Sequence, residues 1–311
     1  MTNKEKYIEF CKIEKDIPLY SRDWWLDAVC DEGVWDVALV EEKDKIVASM
    51  PFYIKKKAFF KAITLPKLTQ SMGPYIKYPK NQTLYKRLSY EKKIMNELIE
   101  QLPKVDIFNQ SFHHSITNWL PFYWKNYTQS TGYTYIIEDL SNLENIFNNF
   151  TSSTRKEIRK AQKSGIEVID SDDIESFYEI IKITLKKKNL KSRESINFIK
   201  RLYERAKDEN SVMMKFAIKE NVIYSVSLCF YDNKTLYAVI GGSNRDIKLI
   251  GSQQLLKWET MKFASSKNLS FDFEGSMIEG VEYRNRSFGA IQKPYFNINR
   301  VDSKVLKAIS C

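Results

Sequence analysis

Cysteine, histidine and long apolar runs are scarce in this chain of 311 residues, and each scarcity excludes a class of protein. The four cysteines, Cys11, Cys30, Cys229 and Cys311, show no CxxC spacing. They predict reduced thiols and neither a disulfide framework nor a zinc site. No apolar run approaches the roughly 20 residues that cross a bilayer, and no apolar segment follows the first residues as a signal peptide requires. We therefore expect a cytoplasmic protein without a transmembrane segment.

The motifs of several enzyme classes are also absent. The sequence contains no HExxH, GxxxxGK[ST], GxGxxG or GxSxG. This argues against a zinc protease, a P-loop NTPase, a Rossmann dehydrogenase and a Ser-His-Asp hydrolase. The only two histidines, His113 and His114, lie in an aromatic segment without a matching nucleophile motif. We expect them at most to line a cleft, and we expect no metal site.

Positive charge is in surplus. Lys and Arg number 49 and Asp and Glu number 39, which gives a formal net charge of +10. Basic clusters occur at 55–57, 155–163 and 186–188. Such clusters are either solvated helix faces or an electrostatic guide for a polyanion, such as a tRNA, a nucleotide-sugar diphosphate or the inner leaflet of a membrane. Charge alone leaves these alternatives open.

The first half predicts a hairpin, a helix and a strand, in that order. Residues 37–54 alternate as a β-hairpin, 84–102 have helical spacing and 105–108 alternate as a strand. The apolar stripe predicted for the helix comprises Leu88, Met95, Leu98, Ile99 and Leu102. A polar, Asn-rich segment at 142–149 then predicts a domain boundary, so we divide the chain into domains 1–145 and 146–311.

The second half repeats this order. A three-stranded meander is predicted over 212–240, and a helix follows from 252 to 266. A strand at 269–273 comes next, and its alternation continues to Glu274, so that Asp272 and Glu274 belong to one polar face. The apolar stripe predicted for the helix is Leu255, Trp258, Met261 and Ala264. The alternation predicts an α/β fold built from α+β layers.

A glycine-rich turn separates this meander from the helix. Gly241-Gly242-Ser243 ends the last strand, and Gly251-Ser252 opens the helix. Unpaired N–H groups at a helix start can hold a phosphate or a carbonyl oxygen. This turn is therefore a candidate binding site.

Several segments of the second half resemble a known family. The loop 248–253 is similar to the pyrophosphate-binding loop of GCN5-related N-acetyltransferases (GNAT). The segments 255–264, 271–276 and 286–289, with the helix at 154–166, resemble the FemAB-like branch of that superfamily, whose domain is of the BioF2-like acetyltransferase type. The resemblance implies two tandem GNAT-like domains, each a mixed, largely antiparallel sheet flanked by helices.

The resemblance also implies a reaction. Members that modify peptidoglycan transfer an amino acid from aminoacyl-tRNA to an amine of a cell-wall precursor, and other relatives use acyl-CoA. We expect an acyl or aminoacyl transfer to an amine of a cell-wall or surface-polysaccharide precursor, which is nucleotide- or lipid-linked. No permanently bound cofactor is implied, and tRNA and the membrane surface are expected contacts. The charged coiled-coil insertion with which some members grip tRNA is absent.

Two other readings stay open. The chain could be an amino-sugar N-acetyltransferase that uses acetyl-CoA, or a non-catalytic module that binds polyanions on a GNAT scaffold. Within the acyltransferase reading, Asp272 and Glu274 are candidates to orient or deprotonate the amine. Arg286 and Lys293 are candidates to hold an anionic group of the acceptor. Residues expected to line the acyl-donor channel are Gly241, Gly242, Ser243, Gly251 and Ser252.

Overall fold

The computed structural model describes residues 1–57, 59–192 and 194–303. Over these residues the chain folds into two compact units. Unit 1 comprises residues 1–132 and 294–303 of the described chain, and unit 2 comprises residues 133–293. Cys311 lies outside the described residues. These units are defined by contacts within the structure, and the boundaries of evolutionary domains do not have to match them. The domain assignment 1–145 and 146–311 therefore stays a prediction.

Unit 1 contains a mixed sheet with helices packed against it. Its strands pair in the order β1-β2-β3-β5-β12, and β3 and β5 form the parallel pair. The fourth strand pairs with β2 outside this path. The elements are α1 (Asn3–Ile13), α2 (Asp23–Val29), β1 (Val34–Glu42), β2 (Lys45–Lys57), β3 (Phe60–Thr64), β4 (Tyr75–Ile76), α3 (Leu84–Glu100), β5 (Ile107–Ser111) and α4 (Leu120–Trp124).

The division between the units falls within β6 (Thr128–Ile137) and within β12 (Ile291–Val301). The remaining elements are α5 (Leu143–Asn149), α6 (Ser152–Lys163), β7 (Glu167–Asp170), α7 (Ile174–Lys186), α8 (Ile196–Asp208), β8 (Val212–Lys219), β9 (Val222–Tyr231), β10 (Thr235–Ser243), α9 (Ser252–Ser266), β11 (Ser270–Asp272) and α10 (Glu279–Arg286). In unit 2 the strands pair in the order β6-β11-β10-β9-β8-β7, and only β10 and β11 are parallel.

The predicted order of elements is confirmed in both halves. Each unit has an antiparallel hairpin or meander, then a helix, then a strand that pairs in parallel, which is a mixed and largely antiparallel sheet flanked by helices. The predicted stripe of α9 is buried as expected, since Leu255, Trp258, Met261 and Ala264 all belong to the core of unit 2. The fold class predicted from the sequence is therefore confirmed.

One predicted core position is wrong. Leu88, assigned to the apolar stripe of α3, has 39% of its surface exposed. The apolar residues of α3 that reach the core begin further along the helix, with Ile94, Met95, Leu98 and Ile99. Residues 84–89 of α3 are exposed, so the helical period continues in the sequence where the helix does not yet pack against the core.

Candidate functional site

The candidate site begins where two parallel strands of unit 2 separate. β10 pairs with β11 only from Thr235 to Tyr237 and then continues to Ser243. Its register against β9 shifts between Tyr237 and Ile240, which marks a β-bulge at residues 238–239. A bulge bends its strand and takes backbone groups out of the ladder. No strand of the described chain pairs with β10 on the β11 side beyond Tyr237, so backbone groups there are available to a ligand.

A cavity of about 200 Å³ occupies this gap. One wall is the backbone of β10, and α9 supplies a second wall. The turn after β11 contributes Phe273, and α10 closes the cavity from a further side. Lining residues include Val226, Ser227, Ala238, Ile240, Gly241, Gly242, Gln253, Gln254, Leu256, Phe273, Val281, Asn285, Ser287 and Phe288.

Cationic side chains line the same cavity, and no carboxylate is among its lining residues. The cations are Lys188, Arg245, Lys257 and Arg284. Within the described residues none of them forms an ion pair. Burial lowers the pKa of Arg284, and Arg245 lowers it further. The pKa of Lys188 is lowered by burial and then by Arg284 and Arg245. Like charges that repel one another in a partly buried cavity favour an anionic ligand, which would relieve the repulsion.

Lys257 lies at one end of this row of cations. Its Nζ stands 4.9 Å from the centre of the Phe273 ring. Burial lowers the pKa of Lys257 to about 8; Cys229 opposes this shift, and Arg284 adds to it. Arg245 and Lys188 are not among the causes, whereas both interact with Arg284. Arg284 thus interacts with each of the other three cations of this row.

Asn285 adds a neutral donor to the cavity wall. The residue is only 3% exposed, and its Nδ2 has no hydrogen-bond partner among the described residues. A buried amide N–H without a partner costs roughly 1–3 kcal/mol. A carbonyl or phosphate oxygen of a ligand would satisfy it. Asn285 is the one buried residue of α10.

The start of α9 is fixed by close contacts. Gly251 has φ +78°, and a Cβ there would lie 2.2 Å from the carbonyl oxygen of Glu157. Ser252 is fully buried, and its hydroxyl lies 2.7 Å from that of Ser225. Ser225 in turn contacts the hydroxyl of Ser243 at 3.1 Å. These groups hold the strand end against the helix start.

The predicted donor-channel residues therefore separate into two groups. Gly241 and Gly242 line the cavity. Ser243, Gly251 and Ser252 lie beside it in the hydrogen-bonded junction of β10 with α9 and are not among its lining residues. The structure thus brings the glycines of β10 to the cavity and places the other three behind its wall.

Asp272 and Glu274 do not share a strand face. β11 ends at Asp272, and Glu274 has φ +63°, which breaks the extended backbone. Asp272 is only 2% exposed; its Oδ1 accepts hydrogen bonds from the Thr134 hydroxyl at 2.5 Å and from the N–H of Glu274 at 2.8 Å. Burial raises the pKa of Asp272 to about 6. Neither carboxylate lines the cavity, but Phe273 between them does.

The two predicted acceptor-binding cations are engaged elsewhere. Nε of Arg286 donates to Oε1 of Glu282 at 2.9 Å, and 61% of the Arg286 side chain is exposed. Nζ of Lys293 lies 2.8 Å from Oε1 of Glu138. Neither lines the cavity. His113 and His114 stack in unit 1 with ring centres 4.2 Å apart and line neither of the two cavities described here.

Several residues of the site were not predicted from the sequence. Arg284 and Asn285 lie on α10, which was not predicted, and Arg245 lies in the loop after β10. Lys257 did carry a signal, because it interrupts an otherwise apolar stretch, Leu255, Leu256 and Trp258, that is buried. A lysine inside such a stretch is expected to point into a polar cavity or to extend to the surface.

Two classes of site have no support in the described chain. Among the described residues no group of three or more His, Cys, Asp or Glu side chains could hold a metal ion. The helices described here include none that is long and apolar enough to span a membrane.

Comparisons with known proteins agree with this geometry. Residues 148–282 match the Acetyltransferase (GNAT) domain family. The crystal structure of FemX aligns with a TM-score of 0.72 at 13% identity, over 99% of this chain and 98% of that one. The C-terminal domain of a protein assigned as a lysylphosphatidylglycerol synthetase from Agrobacterium fabrum aligns with a TM-score of 0.58 at 10% identity, over 99% and 94%.

A third structure extends the comparison. A tandem GNAT protein from the clavulanic acid biosynthesis pathway aligns with a TM-score of 0.50 at 8% identity, over 91% of this chain and 96% of that one. No curated protein sequence matches the chain. The resemblance predicted from the sequence is confirmed. Residues 148–282 thus form a GNAT acyltransferase domain, and the described chain has the fold of FemX and of the tandem GNAT protein.

Proposed function

We propose that this acyltransferase moves an acyl or aminoacyl group from an anionic donor to an amine of a cell-envelope precursor, and that the donor binds in the cavity of unit 2. The observation that carries the proposal is the row of cations beside the separated strands β10 and β11. An activated acyl donor ends in a carbonyl and carries phosphates. The cavity offers both the backbone groups of β10 and a row of cations.

The carbonyl of the donor belongs at the bulge of β10. Backbone groups near Ala238 are released from the ladder there, and the free Nδ2 of Asn285 lies in the wall of the same cavity. Such donors stabilise the oxyanion that develops when an amine attacks an ester or thioester. Gly241 and Gly242 provide a wall without side chains along which an extended donor can lie.

The phosphates of the donor belong beside Arg284, Arg245 and Lys188. Guanidinium groups bind phosphate through paired hydrogen bonds. The cavity of about 200 Å³ is smaller than the roughly 300–1,000 Å³ of a site that encloses a drug-sized ligand. It would hold the reactive end of the donor, and most of a coenzyme or a tRNA would remain outside.

The similar structures support two alternative donors. FemX and the lysylphosphatidylglycerol synthetase domain support an aminoacyl donor, and the latter name joins an amino acid to a membrane phospholipid. The tandem GNAT protein, described without AcCoA, supports acyl-CoA. We favour aminoacyl-tRNA, because FemX has the higher TM-score of these relatives and aligns over nearly the full length of both chains.

The acceptor and the location are proposed on charge. A nucleotide- or lipid-linked precursor carries phosphates, and the chain has a net charge of +10. This charge would attract the precursor and the anionic inner leaflet, so we place the reaction in the cytoplasm near the membrane surface. Arg286 and Lys293 remain proposed contacts for the acceptor, which would have to compete with Glu282 and Glu138 for them.

The acceptor amine needs to be positioned as well as attracted. Asp272 fixes the turn that carries Phe273 to the cavity, because it accepts the N–H of Glu274. We propose that Asp272 and Glu274 contribute by orienting this turn and the amine that approaches it.

Donor specificity provides the direct test. Purified protein would be titrated with a non-hydrolysable aminoacyl-tRNA analogue, uncharged tRNA and acetyl-CoA, and turnover would be assayed with amine-bearing UDP-linked peptides and amino sugars. We expect saturable binding of an acyl donor and amide formation. Turnover with acetyl-CoA and an amino sugar alone would identify an amino-sugar N-acetyltransferase. Binding of every polyanion with a steep salt dependence and no amide product would identify a binding module.

A further inference from the structure

Lys257 lines the cavity together with Ala238, a residue of the β10 bulge. Cys229 lies opposite the bulge of β10, because Phe230 pairs with Tyr237 and Leu228 pairs with Ile240. Lys257 and Cys229 also each affect the pKa of the other. The bulge is also where the carbonyl of the donor is proposed to bind.

The surroundings of Lys257 are largely apolar. Its Nζ faces the ring of Phe273, and Leu256 and Ala238 line the same cavity. Lys257 forms no ion pair with a carboxylate in the described part of the chain, in contrast to Lys262 on the same helix, which pairs with Glu259 at 2.7 Å.

The charged and titratable groups that face Lys257 come from two elements packed near α9. Cys229 of β9 opposes the lowering of the pKa of Lys257, and Arg284 of α10 adds to the lowering that burial causes. Lys215 of β8 and Glu274 act on Cys229 but are not among the causes for Lys257. A lysine with a pKa of about 8 is partly neutral at physiological pH, so it can accept a proton.

We propose that Lys257 is the proton acceptor of the acyl transfer, because its unpaired amine lies in the donor cavity beside the bulge of β10. The inference rests on the proposed function. It assigns the proton transfer to an amine on α9 and not to the carboxylates that the sequence suggested. The predicted carboxylates are less suited, since neither Asp272 nor Glu274 lines the cavity.

The chemical step balances with the groups present. The nitrogen of the acceptor amine forms a bond to the carbonyl carbon of the donor, and the carbonyl oxygen becomes an oxyanion. Neutral Lys257 takes the proton that the attacking nitrogen loses. The oxyanion then collapses, the C–O or C–S bond to the donor breaks, and the leaving alkoxide or thiolate takes the proton from the Lys257 ammonium. The products are an amide and an alcohol or thiol.

A substitution at Lys257 can test its role in proton transfer while the positive charge is kept. Lys257→Arg keeps a cation but removes an amine that can be neutral. We expect it to lower kcat by roughly 100-fold or more, as for a lost general base, while the Kd of the donor changes less than threefold. Lys262→Arg on the same helix is the matched control and should retain full turnover. Retention of kcat within threefold in Lys257→Arg would overturn the proposal.

Chemical rescue gives a readout that a structural role would not move. In Lys257→Ala, trimethylamine can enter the space left by the side chain and accept a proton, but it cannot itself form an amide. We expect turnover to rise in proportion to the concentration of neutral trimethylamine. A folded Lys257→Ala protein that binds donor and shows no rescue would count against the proposal.

A titration independent of turnover keeps the two proposals apart. Reductive ¹³C-methylation followed by NMR would report the pKa of Lys257 in the wild-type protein, with Lys257→Arg used to assign the resonance. A value near 8 that moves when donor is added supports the proposal, and an ordinary value near 10.4 contradicts it. If wild type forms no amide with any donor, the proposed function fails, and the titration still decides whether Lys257 has the character of a base.

Discussion

The helices α3 and α9 occupy the same position in the element order of their units, but their first turns differ. α3 follows a hairpin and precedes a strand, as α9 does. It begins in solvent, with Leu84 74% and Tyr85 80% exposed. α9 begins with the fully buried Ser252 behind a left-handed Gly251. The same order of elements therefore supports a projecting helix start in unit 1 and an enclosed one in unit 2.

The two units also differ in the side chains that line their cavities. The cavity of unit 1, about 400 Å³, is lined by Lys56, Lys61 and Lys104 but also by Glu32. Glu32 places a carboxylate in that wall, so the charge at that site is partly balanced within the protein. The cavity of unit 2 has cations without a carboxylate in its wall. This difference supports our proposal that the anionic donor binds in unit 2.

The largest expected effect is on donor binding. Arg284→Met removes a cation from the middle of the row and should weaken donor binding by roughly 10- to 100-fold, the equivalent of about 1.5–3 kcal/mol for a hydrogen bond to a charged group. Arg205→Met is the matched control, because Arg205 pairs with Glu209 on the exposed side of α8. Isothermal titration with the donor measures both. Equal affinities in the two variants would contradict the proposed contact of Arg284 with the donor.

Two adjacent glycines sharpen the account of the strand end. A Cβ on Gly242 would lie 2.7 Å from Cδ1 of Ile181 and 2.8 Å from Oγ1 of Thr184, whereas the nearest atom to a Cβ on Gly241 is 3.6 Å away. Gly242→Ala should therefore lower the free energy of unfolding by about 1–3 kcal/mol, as overpacking does. Gly241→Ala should change it much less. Denaturant unfolding of both variants measures this free energy. Similar losses in the two variants would show that the close approach of Gly242 to Ile181 and Thr184 of α7 is not the cause.

Asp272 distinguishes positioning from proton transfer. Its folded pKa, about 6, lies above the ordinary value of 3.8, so the native state binds more protons than the unfolded state between about pH 4 and pH 6. Stability contributed by this group is present below that window and is lost as the pH rises through it.

Asp272→Asn removes this titration. The amide Oδ1 at this position can still accept hydrogen bonds from the Thr134 hydroxyl and from the N–H of Glu274. The wild-type loss of Tm between about pH 4 and pH 6 should become smaller in the variant. We expect kcat to fall only about fivefold, which is less than the roughly 100-fold loss expected when a general base is removed. The increase of kcat near pH 8, which we expect from the deprotonation of Lys257, should remain. A 100-fold loss of kcat, together with the loss of a pH dependence of kcat near pH 6, would assign the role of general base to Asp272.

The smallest effect is expected at the start of α3. Leu88→Gln alters a side chain that the sequence pattern placed in the core and the structure exposes. We expect the free energy of unfolding to change by no more than about 0.5 kcal/mol, as for an exposed surface position. Met95→Gln, on the buried part of the same helix, should be strongly destabilising. Thermal unfolding of the two variants would show whether the exposed part of α3 extends to Leu88.

The sequence predicted regular, periodic elements well. The meander 212–240 and the stripe of α9 followed from alternation and helical spacing, and both are present. α10 was missed because its only buried residue is the polar Asn285, so it has no apolar period to detect. α1 did carry a signal in the capping box of Thr2 and Glu5, although no helix was predicted there.

The site was predictable only in part. Gly241 and Gly242 were found because a glycine-rich strand end is visible in the sequence. The cations were not, since Arg245, Lys257 and Arg284 come from three separate segments that meet only through the fold. The roles expected of Asp272 and Glu274 relied on a strand that continues through both residues. The positive φ of Glu274 ends it, and single residues of this conformation leave little trace in a pattern.

The central claim is that unit 2 holds the acyl donor between β10 and β11. A crystal structure of the protein with a non-hydrolysable aminoacyl-tRNA end analogue or an acyl-CoA analogue tests it most directly. The account predicts the carbonyl of the analogue at residues 238–239 and a phosphate within hydrogen-bond distance of Arg284. An analogue seated in unit 1, with the cavity of unit 2 filled only by water, would contradict it.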